Sequence, residues 1–174
     1  MKLIISSIAF VLIASMAYAS DLTVRVGDRD VVLKRTSINH EIRETDGDKG
    51  GRDSALECSF LFYGLLAKSD ILGASNLAAD PAKAADIWTR YSERLDKDDF
   101  KREMKKYFTS GNVILAELVL GDDTMLVIRT EDGIVGQLYL KKDGKYFING
   151  MPFSDSAKTL GKVLTMIQEG KIKL

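Results

Sequence analysis

The chain has 174 residues, 25 basic against 25 acidic side chains, a formal net charge of zero and one cysteine. So even a balance gives no general attraction to nucleic acid or to an anionic lipid surface. A single thiol excludes an intramolecular disulfide, so an apolar core has to hold the fold unaided.

The first twenty residues read as an export signal. Lys2 supplies a positive start, the run from Leu3 to Met16 carries no charge, and Ala17-Tyr18-Ala19 places small residues at the −3 and −1 positions of a cleavage site. The apolar run is shorter than the roughly 20 residues a membrane span needs, and no second run of that kind follows. Ser20, not Cys, comes after the expected cut, so no lipoprotein anchor is indicated. The expected mature chain, from Ser20 onward, is a single α+β domain with no integral membrane span, in the periplasm.

Next, "LTVRV" (Leu22 to Val26) alternates apolar and polar residues, "GDRD" marks a turn, and "VVLKRT" resumes the alternation, the pattern of a short hairpin. From Ser37 to Asp53 the alternation fails, and the polar, glycine-bearing stretch reads as a loop. Within it Ile38 and Ile42 lie four apart, a spacing that suits a helix face or a strand face equally.

Helical signals take over at Ser54, where Ser54 and Glu57 have the spacing of a capping box. A helix apolar nearly all round then runs to about Lys68. Asp70 is placed to cap a second, short helix. Asp80-Pro81 opens a third, as a cap followed by proline at the first helical position. A fourth starts near Asp98, with Phe100, Met104, Tyr107 and Phe108 as its stripe and Gly111 near its end.

The period then changes to two. "NVILAELVL", "TMLVIRT", "IVGQLYLKK" and "KYFINGMPF" are separated by "GDD", "EDG" and "DG", residues that tolerate the positive φ of tight turns. A final helix spaces Leu160, Val163, Leu164 and Ile167 after Ser154 or Asp155, and Gly170 ends it. The expected class is α+β: N-terminal helices packed on one face of a curved antiparallel four-stranded meander, with an N-terminal hairpin and a C-terminal helix.

"FLFYGLLAKSDILGASNLAADP", the "WTRYSERLDKDDFKREMKKYF" helices and the sheet-like "VILAELVLGDDTMLVIRTEDGIVGQLYLKKDGKYFI" follow one another in an order that resembles the nuclear transport factor two-like (cystatin-like cone) superfamily, over roughly Ser54 to Asn149. The resemblance rests on element order and a loose helix pattern. It implies a cone with a concavity able to hold a ligand or peptide. Enzymatic members place an Asp, His or Tyr set inside the cone. His40, the only histidine, precedes the matching stretch, so no catalytic residue carries over, and function varies widely on such folds.

Among candidate sites, "DGDKGGRDSALE" (Asp46 to Glu57) fits an EF-type calcium loop at four positions. Asp46, Asp48, Ser54 and Glu57 are the ligands, with Gly51 at the sixth position. Against it, the fifth position is Gly50, the eighth is Asp53, and no helix is expected before the loop. The preferred account is a mobile glycine turn, with Ser54 and Glu57 capping the following helix; no cofactor other than calcium is in question. His40 lacks the partners of a transition-metal set and reads as a surface-loop residue. Cys58, in an apolar helix, reads as a buried small hydrophobe. The aromatic side chains of the helical half are core residues by default, with Trp88, Tyr91 and Tyr107 as candidates to line a ligand opening.

No catalytic constellation or cofactor fingerprint stands out. The first expectation is therefore an exported, non-enzymatic binding or interaction protein for a protein or a small apolar ligand, a class that includes inhibitors and immunity proteins. It expects a pocket without ionisable groups of perturbed pKa, or no pocket. The alternative is a small pocket enzyme of the cone fold using Asp123 or Glu117 as base, which needs a buried carboxylate in a closed pocket.

Overall fold

The computed structural model describes residues 18–109, 111–150 and 154–174. The expected signal lies outside these residues except for Tyr18 and Ala19, which open the first strand. The end of "KYFINGMPF", residues 151–153, lies outside them as well.

Six strands form one antiparallel sheet in chain order: β1 (Tyr18–Val26), β2 (Arg29–Glu41), β3 (Val113–Leu120), β4 (Asp123–Thr130), β5 (Gly133–Lys142) and β6 (Lys145–Ile148). This corrects the expected four-stranded meander with a separate hairpin. The hairpin is the sheet's first pair of strands, and a helical segment is inserted between β2 and β3. The join is β2, which runs 13 residues and reaches Glu41, through what reads as loop in the sequence. It pairs with β3 from Lys34↔Val119 to Ser37↔Ala116, and again at His40↔Ile114 and Glu41↔Val113. Between those stretches the register shifts, and Asn39 takes a φ of 50°. Such a bulge swaps which side chains face which way, so the alternation breaks although the strand continues.

After a short 3-10 turn (Glu44–Asp48) come α1 (Ala55–Ala67), α2 (Ile71–Ser75), α3 (Pro81–Ser92) and α4 (Lys97–Lys105). Ser54, Asp70, Asp80 and Asp96 cap them, each side-chain oxygen accepting from a first-turn amide. The last helix, α5 (Asp155–Gln168), is capped by Ser154.

The helices do not share one face. Met125 and Val127 of β4 pack with Leu160, Val163 and Ile167 of α5. Their neighbours Leu126 and Ile128 pack with Ala55, Cys58 and Phe60 of α1. Consecutive strand residues point to opposite sides, so α1 and α5 sandwich the sheet. That explains "TMLV", an unbroken buried run: a strand covered on both faces has no solvent side to keep polar.

Two glycine contacts set how closely the 3-10 turn meets α1. A Cβ on Gly64 would stand 2.5 Å from the Gly47 carbonyl oxygen, and one on Gly50 would overlap the Leu61 backbone. The glycines that read as a mobile turn are thus packed against a helix that only bare backbone can approach so closely.

Candidate functional site

Between β5, β6 and the helices lies a cavity of about 510 Å3. Phe62 and Tyr63 of α1 form one wall. Ala84, Ile87 and Trp88 of α3 form a second. Asp123, Gln137, Leu140 and Ile148, from β4, β5 and β6, line it as well. The segment before α3 is tied to β6, with the Ile148 amide donating to Leu77 and the Ala79 amide donating to Ile148. Those bonds cover the outer edge of β6 and hold α3 over the opening.

The aromatic walls are set nearly at right angles. Phe62 meets Tyr63 edge to face at 5.3 Å and 87°, and meets Trp88 at 5.7 Å and 67°. Trp88 is among the residues that wall this cavity. Tyr91 lies beside the cavity, edge-on to Trp88 and Phe100, with its side chain partly in solvent. Tyr107 sits one layer deeper, stacked on Tyr63 at 3.8 Å between centroids.

Behind the wall, five neutral polar groups are linked by hydrogen bonds. The Ser59 hydroxyl donates to Gln137 Oε1 at 3.1 Å, and Tyr139 donates to the same oxygen at 2.7 Å. Gln137 Nε2 donates to the Tyr63 hydroxyl at 3.2 Å. The hydroxyl of Tyr107 pairs with Ser59, and since Ser59 has spent its one hydrogen on Gln137, Tyr107 is the donor. With the amide so oriented, the Tyr63 hydrogen has no acceptor among the described residues. Burial pushes the Tyr63 hydroxyl up to about 12, the Gln137 bond only partly offsetting it. It stays protonated near neutral pH and can serve as a donor, not as a base.

Asp123 differs from the rest of the lining. It opens β4, is 3% exposed, and no Lys, Arg or His pairs with it among the described residues. Its oxygens accept from the Ser154 hydroxyl at 2.5 Å and the Asn149 amide at 3.5 Å. Through Ser154 it ties the β3–β4 hairpin to the start of α5. The cavity-lining group whose pKa is shifted is Tyr63, which departs from the expectation of a binding pocket without ionisable groups of perturbed pKa. Glu117, the other acid considered as a base, is on β3 and not among the cavity walls. Burial raises its pKa, and Lys141 pulls the other way.

The proposed calcium ligands do not converge. Asp46 is buried, its carboxylate bonded to His40 Nε2 at 2.8 Å, the Arg43 amide at 2.9 Å and Lys49 at 3.4 Å. Burial pushes the Asp46 carboxyl up, and the bonds from His40 and Arg43 outweigh it, leaving its pKa below the ordinary value. Asp48 pairs at the surface with Lys68. Ser54 accepts from the Glu57 amide, and the Glu57 carboxylate lies beside Gly51. Among the described residues, no group of three or more His, Cys, Asp and Glu side chains is placed to hold a metal ion. His40 belongs to β2, not to a surface loop. Cys58 is fully buried, and burial pushes its thiol up to about 11.

Missed from the sequence were Phe62 and Tyr63, absorbed into an all-round apolar helix, and Gln137. Gln137 did leave a signal: apart from the Tyr139 hydroxyl it is the one hydrogen-bonding side chain in "IVGQLYL", a stretch otherwise apolar.

No protein-family model, curated protein or solved structure matches the chain. Among the described residues no helix is long and apolar enough to cross a membrane.

Proposed function

We propose that the chain is an exported, periplasmic binding protein that holds a small apolar ligand in the cavity beneath α3. One observation carries this reading: a cavity of about 510 Å3 walled mainly by Phe62, Tyr63, Ile87, Trp88, Leu140 and Ile148. That is the size and lining of small-molecule sites, apolar walls with a few polar groups to fix orientation. A concavity between sheet and helices is also what the likeness to the nuclear transport factor two-like superfamily implies. The basic start, uncharged run and small-residue cleavage pattern of residues 1–19 support export.

Trp88 is the only tryptophan, so its emission reports on the cavity alone. Titration with N-phenyl-1-naphthylamine, uncharged at neutral pH, should quench Trp88 and brighten the probe, saturating at one probe per chain. A linear, unsaturable response removes the binding reading.

A second reading, a small pocket enzyme, is favoured by one fact: Asp123 is a buried carboxylate in the cavity wall. Its bonds to Ser154 and Asn149 orient the carboxylate as a base is oriented. Turnover of a ligand retained by the wild type, lost in Asp123→Asn, is the result that would select it.

A further inference from the structure

The cavity's charges are unequal. Among the described residues its titratable lining is Asp80, Lys83, Asp123 and Tyr63, so two carboxylates stand against one ammonium while the phenol stays neutral. Asp80 is also engaged at the start of α3, where it accepts from the Lys83 amide at 3.1 Å. Asp123 is the buried one of the two. Buried aspartates are almost always paired with a cation or a metal, and here the partners are a hydroxyl and a side-chain amide. The amide end of α5, which Ser154 caps, adds partial positive charge nearby. These neutral donors orient the carboxylate and soften its burial, but they bring no cation to it.

The opposite wall supplies the complement. Phe62 stands at a steep angle to both Tyr63 and Trp88, one face of Tyr63 is covered by Tyr107, and Phe62, Tyr63 and Trp88 all line the same cavity as Asp123. Faces of aromatic rings carry negative potential and attract desolvated cations, Trp most of all. A buried carboxylate and aromatic rings lining one cavity favour a positive ligand over a neutral or negative one of equal size.

We infer that the ligand of this cavity is a cation with an apolar body, an organic ammonium whose charge pairs with Asp123 while its body reaches the aromatic rings that line the same cavity. The inference rests on the cavity being the ligand site, and it adds the ligand's charge. The ligand's ammonium then pairs with Asp123, which no Lys, Arg or His does among the described residues, while the apolar body fills the space near Ile87, Leu140 and Ile148.

Three molecules of similar size that differ in charge test it: 2-phenylethylamine, 2-phenylethanol and 3-phenylpropanoate, each displacing N-phenyl-1-naphthylamine from the mature chain at pH 7. The ammonium should bind about tenfold tighter than the alcohol, the scale of one charge-assisted interaction, and the carboxylate should bind weakest. In Asp123→Asn the gap between ammonium and alcohol should close to about twofold or less. If Asp123→Asn does not fold, the order in the wild type decides alone. Probe binding with the alcohol equal to the ammonium, or the carboxylate tightest, overturns the cation preference and leaves the cavity reading standing. No binding of the naphthylamine probe or of any of the three removes both.

Discussion

His40 Nε2 lies 2.8 Å from Oδ2 of Asp46, joining a strand residue to the 3-10 turn that follows six residues later. Asp46 is 3% exposed and accepts from His40, the Arg43 amide and Lys49, so it fastens β2 to the entrance of the helical insert. Its pKa is depressed in the fold. A depressed carboxyl contributes stability above its unfolded value, about 3.9, and that contribution disappears as pH falls through the lower folded value. Asp46→Asn should therefore be less stable than the wild type at pH 7 by about 1–3 kcal/mol, the cost of weakening bonds to a buried charged group. The difference should shrink as pH drops from about 5 towards 2. Urea midpoints by circular dichroism across that range measure it, and a difference independent of pH contradicts it.

The same bonds bear on calcium. A Ca2+ ion takes six to eight oxygens at 2.3–2.6 Å, by the general chemistry of the ion. Asp46 already serves three donors, and Asp48 pairs with Lys68 at 3.0 Å. Calorimetry with millimolar calcium should record no saturable heat. Saturable uptake that Asp46→Ala abolishes would restore the calcium-stabilised module in place of this account.

Two glycine substitutions should move stability in opposite directions. A methyl on Gly50 runs into the Leu61 backbone, which cannot swing aside, so Gly50→Ala should cost about 1–3 kcal/mol as overpacking does. Gly161 lies within α5 with nothing within 4 Å of its would-be Cβ. Gly161→Ala should gain about 0.5–1 kcal/mol, by reducing the freedom of the unfolded chain and improving helix propensity. Thermal unfolding of both variants settles it; a neutral Gly50→Ala would mean that the turn is not pressed against α1.

What could be read in the chain was what local chemistry dictates. Ser54, Asp70, Asp80 with Pro81, and Ser154 cap the helices they were expected to cap. Asp143 and Gly144 take the positive φ of a tight hairpin. What escaped depends on distant contacts. The bulge at Asn39 hid the end of β2, so the six-stranded sheet was split into a hairpin and a four-stranded meander. The placement of α5 opposite α1 is decided by which alternate residues of β4 each covers, and a strand buried on both sides has lost the alternation that would reveal it. Within the cavity, Trp88 was accessible from its helix spacing, whereas Phe62, Tyr63 and Gln137 meet it only through the packing of α1 on β5.

Gln137 holds together hydroxyls from two elements, with Ser59 and Tyr63 on α1 and Tyr139 on its own strand. Gln137→Leu keeps the bulk but strands the Ser59 and Tyr139 hydrogens in a buried setting, and each unsatisfied group costs about 1–3 kcal/mol. The loss should be at least about 2 kcal/mol. Tyr63→Phe removes only the end of the network, and its cost should be about 1 kcal/mol or less. Equal costs for the two, from urea unfolding, would mean that Gln137 is not the hub.

The roof of the cavity is its least anchored part. None of the residues of α3 is buried, Ile87 is 47% exposed, and Leu72 on the adjoining α2 is 70% exposed. An amphipathic helix with its apolar side half in solvent gains little from packing, so it opens at low free-energy cost. Amides of α3 should therefore exchange with deuterium faster than those of α1, whose Phe62 and Leu66 are buried. Binding of N-phenyl-1-naphthylamine should slow α3 most, because a ligand against Ile87 and Trp88 gives that face something to cover. Exchange in α3 as slow as in α1 without ligand would mean that the helix is not a movable roof, and the route into the cavity would have to lie elsewhere.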